Sequence, residues 1–375
     1  MYKRLLQKNI KQRFFKGKVL IIVGARQVGK TTLALELKKG FSEKEIRFFN
    51  CDNPTDRQEL VNKDLEFLKK LVGDAKLIFI DEAQKVGNIG ETLKLLVDYY
   101  KDKRQILVTG SSSFNLLDNT QEPLTGRKYV YHLFPLSLEE IHPNKDYLKM
   151  IKELENLLIF GSYPEVVSKS AFKEKKELVK ELASSYIYKD ILGFQEIKSP
   201  DVLVKLLKAL AFQIGSQVSY SELANTVGIN KKTIERYIEL LEKSFVIFRL
   251  SPFTKNKRRE ISKLKKIYFY DTGIRNAVIN DFSFMDNRND IGVLWENFMI
   301  VERMKFNNYH NIDAEAYFWR TYDGNEIDLI EEREKKLYGY EFKWRIDKKR
   351  KTKSFNWLSS YKIITKNDLN GFVFK

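Results

Sequence analysis

Short apolar runs and helical repeats take turns over the first 140 or so residues of the chain. The runs lie at 19–23, 45–50, 77–80, 105–109 and 128–134; each is rich in branched or aromatic side chains and bounded by Gly, Asp or Ser. Amphipathic helical patterns fall between them, at 31–39 and 90–100. Strand and helix in alternation predict a parallel sheet with crossover helices. From about 137 to 192 the pattern turns helical, broken most clearly at Phe160-Gly161-Ser162-Tyr163-Pro164, and a second helical block runs from Pro200 to about Ser251. Past Ile267 strands return, at 267–270, 316–320, 326–331 and 337–344. With 375 residues the chain exceeds what one hydrophobic core serves. The expected divisions are 1–140, 141–199, 200–270 and 271–375.

Composition changes this picture in two places. The 26 Phe and 19 Tyr supply the apolar area that a disordered chain lacks. A formal charge of +17 favours polyanionic partners, with nucleic acid ahead of acidic membrane surfaces. One cysteine, Cys51, excludes a disulfide framework, and three scattered histidines argue against structural zinc. The basic amphipathic start, residues 1–18, lacks the apolar core of a signal peptide, and no stretch has the apolar length of a membrane span. The expectation is a cytoplasmic protein with no membrane partner.

The most informative motif follows the first apolar run. Gly24-Ala25-Arg26-Gln27-Val28-Gly29-Lys30-Thr31 fits the phosphate-loop pattern, and Thr32 continues it into the helix. Glycines allow the sharp turn that brings backbone N–H groups onto phosphate oxygens, and the helix N-terminus adds its positive end. Lys30 is expected on the β- and γ-phosphates, with the Thr31 hydroxyl on Mg²⁺. The run at 77–80 ends in Asp81-Glu82, which supplies a magnesium carboxylate and a general base for water. The expected ligands are therefore ATP and Mg²⁺. An acidic pair that merely caps a helix is the bland alternative.

A third run, 105–109, ends in Gly110-Ser111-Ser112-Ser113. This order of elements resembles the AAA+ family of ATPases. The resemblance implies a γ-phosphate sensor at Ser111 or Thr109, although a serine-rich turn capping the next helix fits the same residues. It also implies an arginine finger at Arg127, acting on a neighbouring subunit and so within a homo-oligomer; a solvated surface arginine is the alternative.

Residues 218–250 read as a helix-turn-helix: 220–227, a turn at Gly228-Ile229-Asn230, then 231–243 with Ile234, Tyr237, Ile238, Leu240 and Leu241 on one face. Lys231, Lys232 and Arg236 take the start and outward face, where a recognition helix meets DNA. Residues 255–266 carry seven basic side chains and one acidic one, with Lys257, Arg258 and Arg259 at the centre. That concentration suits the basic wing of a winged helix. A purely protein-packing lid remains the alternative.

In the last block, Asp328 sits on one strand and Glu341-Phe342-Lys343 at the end of the next, with Glu296 on the helical stretch 294–305. Residues 341 and 343 share a strand face, so a hairpin can gather carboxylates for a divalent metal beside Lys343. The pattern resembles the restriction-endonuclease-like superfamily; a salt-bridged strand face is the bland reading. Together with Gly161-Ser162-Tyr163-Pro164-Glu165, Tyr188-Lys189-Asp190 and Asp271-Thr272-Gly273, these features resemble prokaryotic AAA+-like ATPases with a winged helix and a C-terminal nuclease-like domain. The implied fold is a multidomain α/β chain: a P-loop parallel-sheet ATPase core, a helical lid and winged-helix middle, and an α/β restriction-endonuclease-like end. The implied function is an ATP-hydrolysing switch acting with or on nucleic acid. An ATP-gated metal-dependent DNA nuclease and a non-hydrolysing nucleotide-bound adaptor are the alternatives.

Overall fold

The structure is a computed structural model that describes residues 2–111, 120, 123–185, 200–254, 264–321, 324–345 and 355–375. The chain divides into two compact units: Met1–Phe134 with Lys243–Phe245, and Pro135–Glu242 with Val246–Lys375. Ser112, Ser113, the 188–190 phrase, and Lys257, Arg258 and Arg259 of the basic run lie outside the described residues.

The first unit is built on five parallel strands in the order β2-β3-β4-β1-β5: β1 Val19–Val23, β2 Ile46–Asn50, β3 Leu77–Asp81, β4 Gln105–Gly110 and β5 Lys128–His132. Strands β1, β3 and β4 are buried at every position, which is why their sequences read as unbroken apolar runs rather than alternating ones. The α-helices of this unit include α1 Leu6–Lys11, α2 Lys30–Lys38, α3 Pro54–Leu60, α4 Leu65–Val72 and α5 Ile89–Tyr100. Helices α3 and α4 start on Asn53 and Asp64, whose side chains accept from the Thr55 and Phe67 N–H groups. Helix α5 buries Leu93, Leu96, Val97 and Tyr100 at helical spacing.

The second unit opens with α6 Leu138–Ile141, α7 Tyr147–Phe160, α8 Pro164–Ser168 and α9 Phe172–Ser185. Helix α7 ends at Gly161, whose φ of 78° is left-handed, and Pro164 begins α8 without needing an N–H. Next come α10 Pro200–Phe212, β6 Gln217–Val218, α11 Tyr220–Val227, α12 Lys231–Lys243, β7 Ile247–Pro252 and β8 Lys265–Phe269. The expected helical block ends earlier than its pattern suggested. Residues 247–252 form a strand, because Val246, Ile247, Phe248 and Leu250 pack better on a pleated sheet. The chain closes with α13 Thr272–Ile279, α14 Ile291–Tyr309, β9 Glu315–Arg320, β10 Glu326–Arg333, β11 Lys336–Phe342 and β12 Ser360–Ile364. Among the described residues, the seven strands of this unit form one mixed sheet, β12-β11-β10-β9-β7-β8-β6. Its continuity rests on the parallel pairing of Ser251 and Pro252 in β7 with Tyr317 and Phe318 in β9.

Two of the phrases singled out in the sequence meet each other. The Asp271 carboxylate accepts from the Ser162 N–H at 2.8 Å and from the Ile274 N–H at 3.1 Å, capping α13. A Cβ on Gly161 would collide with that carboxylate, and one on Gly273 would collide with the Phe160 carbonyl. These glycines are there for close approach. Replacing Gly273 by Ala is expected to cost about 1–3 kcal/mol through overpacking. Calorimetry checks this, and an unchanged melting temperature would contradict it.

Candidate functional site

The phosphate loop links the end of β1 to the start of α2. Gly29 ends it at φ 96°, a left-handed conformation that costs any other residue strain. A Cβ on Gly24 would run into the Leu133 carbonyl, so both glycines are dictated by backbone geometry. Gly29 has no side chain to cap α2, which leaves its first-turn N–H groups for an anion. Lys30 is only 5% exposed, and its ammonium donates to the carbonyls of Gly24 (3.0 Å) and Ala25 (2.8 Å). Its charge is thereby held over the turn that would cradle phosphates.

Strand β4 lies between β1 and β3, so its end stands between the phosphate loop and the acidic pair. The Thr31 hydroxyl donates to both Asp81 carboxylate oxygens, at 3.0 and 3.1 Å, and the Thr109 hydroxyl binds the same carboxylate. Burial pushes the Asp81 carboxyl above its usual range, and these two hydroxyls oppose the rise. Threonine hydroxyl and carboxylate in contact are a fitting pair for Mg²⁺, which takes few protein ligands and keeps its waters and phosphate oxygens. The Glu82 backbone is left-handed (φ 53°), which turns its side chain out of the strand register. The Glu82 carboxylate accepts from the Gln84 amide at 2.6 Å and from the Ser111 hydroxyl at 3.3 Å, and Gln84 also donates to Ser111 at 2.9 Å.

Two contributors were not read from the sequence. Gln84 orients Glu82 and had no motif to announce it. Arg4 is buried, and its guanidinium donates to the Val28 carbonyl at 2.7 Å and the Phe134 carbonyl at 2.6 Å, bracing the phosphate loop from the N-terminal segment. Only its burial distinguishes it from the basic residues around it. Arg127 lies elsewhere: its carbonyl accepts from the Val19 N–H at the start of β1, while the phosphate loop follows Val23. Four strand steps, about 13 Å, separate those edges of the sheet. The exposed Arg127 side chain pairs with Asp98 at 2.6 Å.

In the second unit, α11 and α12 keep the expected bounds. Ser219 caps α11, and Gly228 at φ 80° makes the turn. Helix α12 buries Ile234, Tyr237, Ile238, Leu240 and Leu241, while Lys231, Lys232 and Arg236 are exposed.

The expected metal cluster of the last block is arranged differently from the sequence pattern. Asp328 and Glu341 are near neighbours across β10 and β11, since Leu329 pairs with Tyr340. Asp328 accepts from the Phe342 N–H at 2.7 Å. Strand β11 stops at Phe342, and Lys343 just beyond it pairs with Glu341 at 2.8 Å; Tyr361 also binds Glu341. Glu296 of α14 faces another cation: Lys266 of β8, 1% exposed, lies 3.0 Å from Glu296 and 2.6 Å from Glu326. Tyr268 donates to the same Glu296 oxygen at 2.5 Å. Burial, followed by the Glu296 charge, lifts the Asp328 carboxyl to about 7. Among the described residues, no three His, Cys, Asp or Glu side chains gather as a metal-binding group. Lys266, at the end of the basic run 255–266, is buried and internal.

Sheet order, phosphate loop and acidic strand end define a P-loop nucleotide-binding core. Comparison with known proteins agrees: residues 16–142 match the family model of the AAA domain. Two domains of unknown function match further along, DUF8612 over 151–284 and DUF4143 over 291–373. Among similar proteins, an uncharacterized protein of Mycobacterium tuberculosis is 25% identical over 336 residues, covering 89% of this chain and 72% of that one. An uncharacterized protein of Methanocaldococcus jannaschii is 24% identical over 349 residues, covering 87% and 75%. A solved signal-transduction ATPase with a tetratricopeptide repeat sensor, from Pyrococcus horikoshii, is 13% identical with a TM-score of 0.32, covering 83% of this chain and 48% of that chain. Among the described residues no helix is long and apolar enough to cross a membrane.

Proposed function

We propose that the chain binds ATP with Mg²⁺ on the loop from Gly24 to Thr32 and hydrolyses it as a switch that engages nucleic acid. The observation that carries the reading is the pairing of two carboxylates with different company at the end of one strand. Asp81 touches the Thr31 hydroxyl and suits a magnesium ion. Glu82 is held by Gln84 and Ser111 and suits a base for water. Bound magnesium would neutralise phosphate charge; Lys30 would add its ammonium, and the loop N–H groups would orient the β- and γ-phosphates. Ser111, bonded to Glu82 directly and through Gln84, would couple γ-phosphate occupancy to the base.

For Arg127 to act as a finger, the phosphate must belong to another copy, because its own loop is at the opposite end of β1. In that case the active species would be an oligomer. Engagement of DNA is supported by the order α10-β6-α11-α12-β7-β8, with β6, β8 and β7 hydrogen-bonded side by side, which is the order of a winged helix. It is supported too by the exposed Lys231, Lys232 and Arg236, and by the basic run between β7 and β8. ATP turnover measured with and without duplex DNA tests the coupling: DNA should change the rate, and an identical rate at saturating DNA would sink it. Replacing Lys257, Arg258 and Arg259 together by Ala should weaken DNA binding and lower the slope of log affinity against log salt by about 3 units. A salt titration that overlays the wild-type line would remove this run from the interface.

A further inference from the structure

The nuclease-like pattern of the second unit has its acidic residues, but one of its elements supplies a cation of its own. Lys266 reaches the cluster by the fold itself: β8 pairs with β7, β7 pairs with β9, and β9 pairs with β10, which carries Glu326 and Asp328. Its ammonium has 1% exposure and lies between Glu296 and Glu326, with Asp328 close enough to feel its charge. Beneath it, the Phe318 ring lies 5.4 Å away and presents a second favourable partner for a positive charge. The carboxylates that the pattern would offer to a metal already have protein donors. Glu296 has Lys266 and Tyr268, Asp328 has the Phe342 N–H, and Glu341 has Lys343 and Tyr361. By contrast Lys343, the lysine that the pattern marks as catalytic, is about one-third exposed at the rim.

We propose that Lys266 is the built-in cation of the Glu296, Glu326 and Asp328 cluster, and that it closes this sheet to a divalent metal and hence to metal-dependent cleavage of nucleic acid. A divalent ion needs several free oxygens at close range, and Mg²⁺ in particular tolerates little departure from octahedral geometry. Here it would sit against an ammonium that is sealed from solvent and cannot withdraw its charge into water. The cluster instead ties β8 to β10 and α14 by charge-assisted hydrogen bonds. The chemistry expected of the pattern is replaced by a structural bond between the helix-rich and strand-rich parts of one unit.

The test uses the full chain carrying Lys30→Ala, so that the nucleotide site contributes little metal binding. Mn²⁺ binding is followed by electron paramagnetic resonance, alone and with Asp328→Asn, and plasmid DNA is incubated with the same proteins and Mn²⁺. The proposal expects no Mn²⁺ site that depends on Asp328 and no Asp328-dependent cutting. Either signal, lost on Asp328→Asn, overturns it. Adding Lys266→Met, which keeps the length of the side chain and removes its charge, should create one Mn²⁺ site at least tenfold tighter than any in the parent, abolished again by Asp328→Asn. A folded Lys266→Met protein with no such gain overturns the role given to Lys266. Where that variant folds only with Mn²⁺ present, the requirement is itself the gain; where it does not fold at all, the Asp328 comparison decides alone. ATP hydrolysis by the unaltered chain is a separate reading that none of these outcomes touches.

Discussion

Lys30→Ala is expected to abolish ATP binding. The Lys30 ammonium is nearly buried and held over the loop by two carbonyls, so its charge is fixed where the β- and γ-phosphates would lie. Charge-assisted hydrogen bonds contribute about 1.5–3 kcal/mol each. Losing contacts to two phosphates weakens binding by at least about 100-fold at 1.4 kcal/mol per decade. The substitution also leaves the Gly24 and Ala25 carbonyls without that donor, at about 1–3 kcal/mol of stability. Circular dichroism must therefore show a folded protein before equilibrium binding of a fluorescent ATP analogue is read. A folded variant with wild-type affinity would remove the phosphate loop from the account.

Glu82→Gln has the second largest effect, and it falls on a different quantity. The amide keeps the shape of the side chain and can still accept from Gln84 and Ser111, but it cannot take a proton from water. Binding should stay within a few-fold of wild type, whereas turnover should fall about 10²–10⁴-fold, the range for removing a general base. Asp81, not Glu82, touches Thr31, which is why nucleotide and magnesium affinity should survive. Equal losses in binding and turnover would mean that Glu82 works through the loop structure and not on water.

The nucleotide core was legible because its chemistry is local in sequence. Eight consecutive residues set the loop, and an apolar strand ending in two carboxylates set its partner. Helices α11 and α12 were legible for a similar reason: Ser219, Gly228 and the apolar stripe of α12 each act within a few residues. What escaped depends on distant packing. Arg4 and Gln84 belong to the site only because the fold brings them to Val28 and Glu82. Lys266 sits in a basic run, and only the seven-stranded sheet turns it inward to meet Glu296 and Glu326. Strand β7 was absorbed into a helical block because a short apolar run carries no period of its own. The phrases around Gly161 and Gly273 stood out in the sequence only through a family resemblance; their physical reason is the close contact of one phrase with the other.

The central claim is that this chain turns over ATP at the site formed by Lys30, Thr31, Asp81 and Glu82. Phosphate release from Mg²⁺-ATP by the purified chain, run beside Glu82→Gln at saturating nucleotide, tests it most directly. The wild type is expected to make repeated turnovers, and the Gln variant to hold bound but unhydrolysed ATP. Equal rates in the two proteins, or no release by the wild type in the presence or absence of DNA, would contradict it.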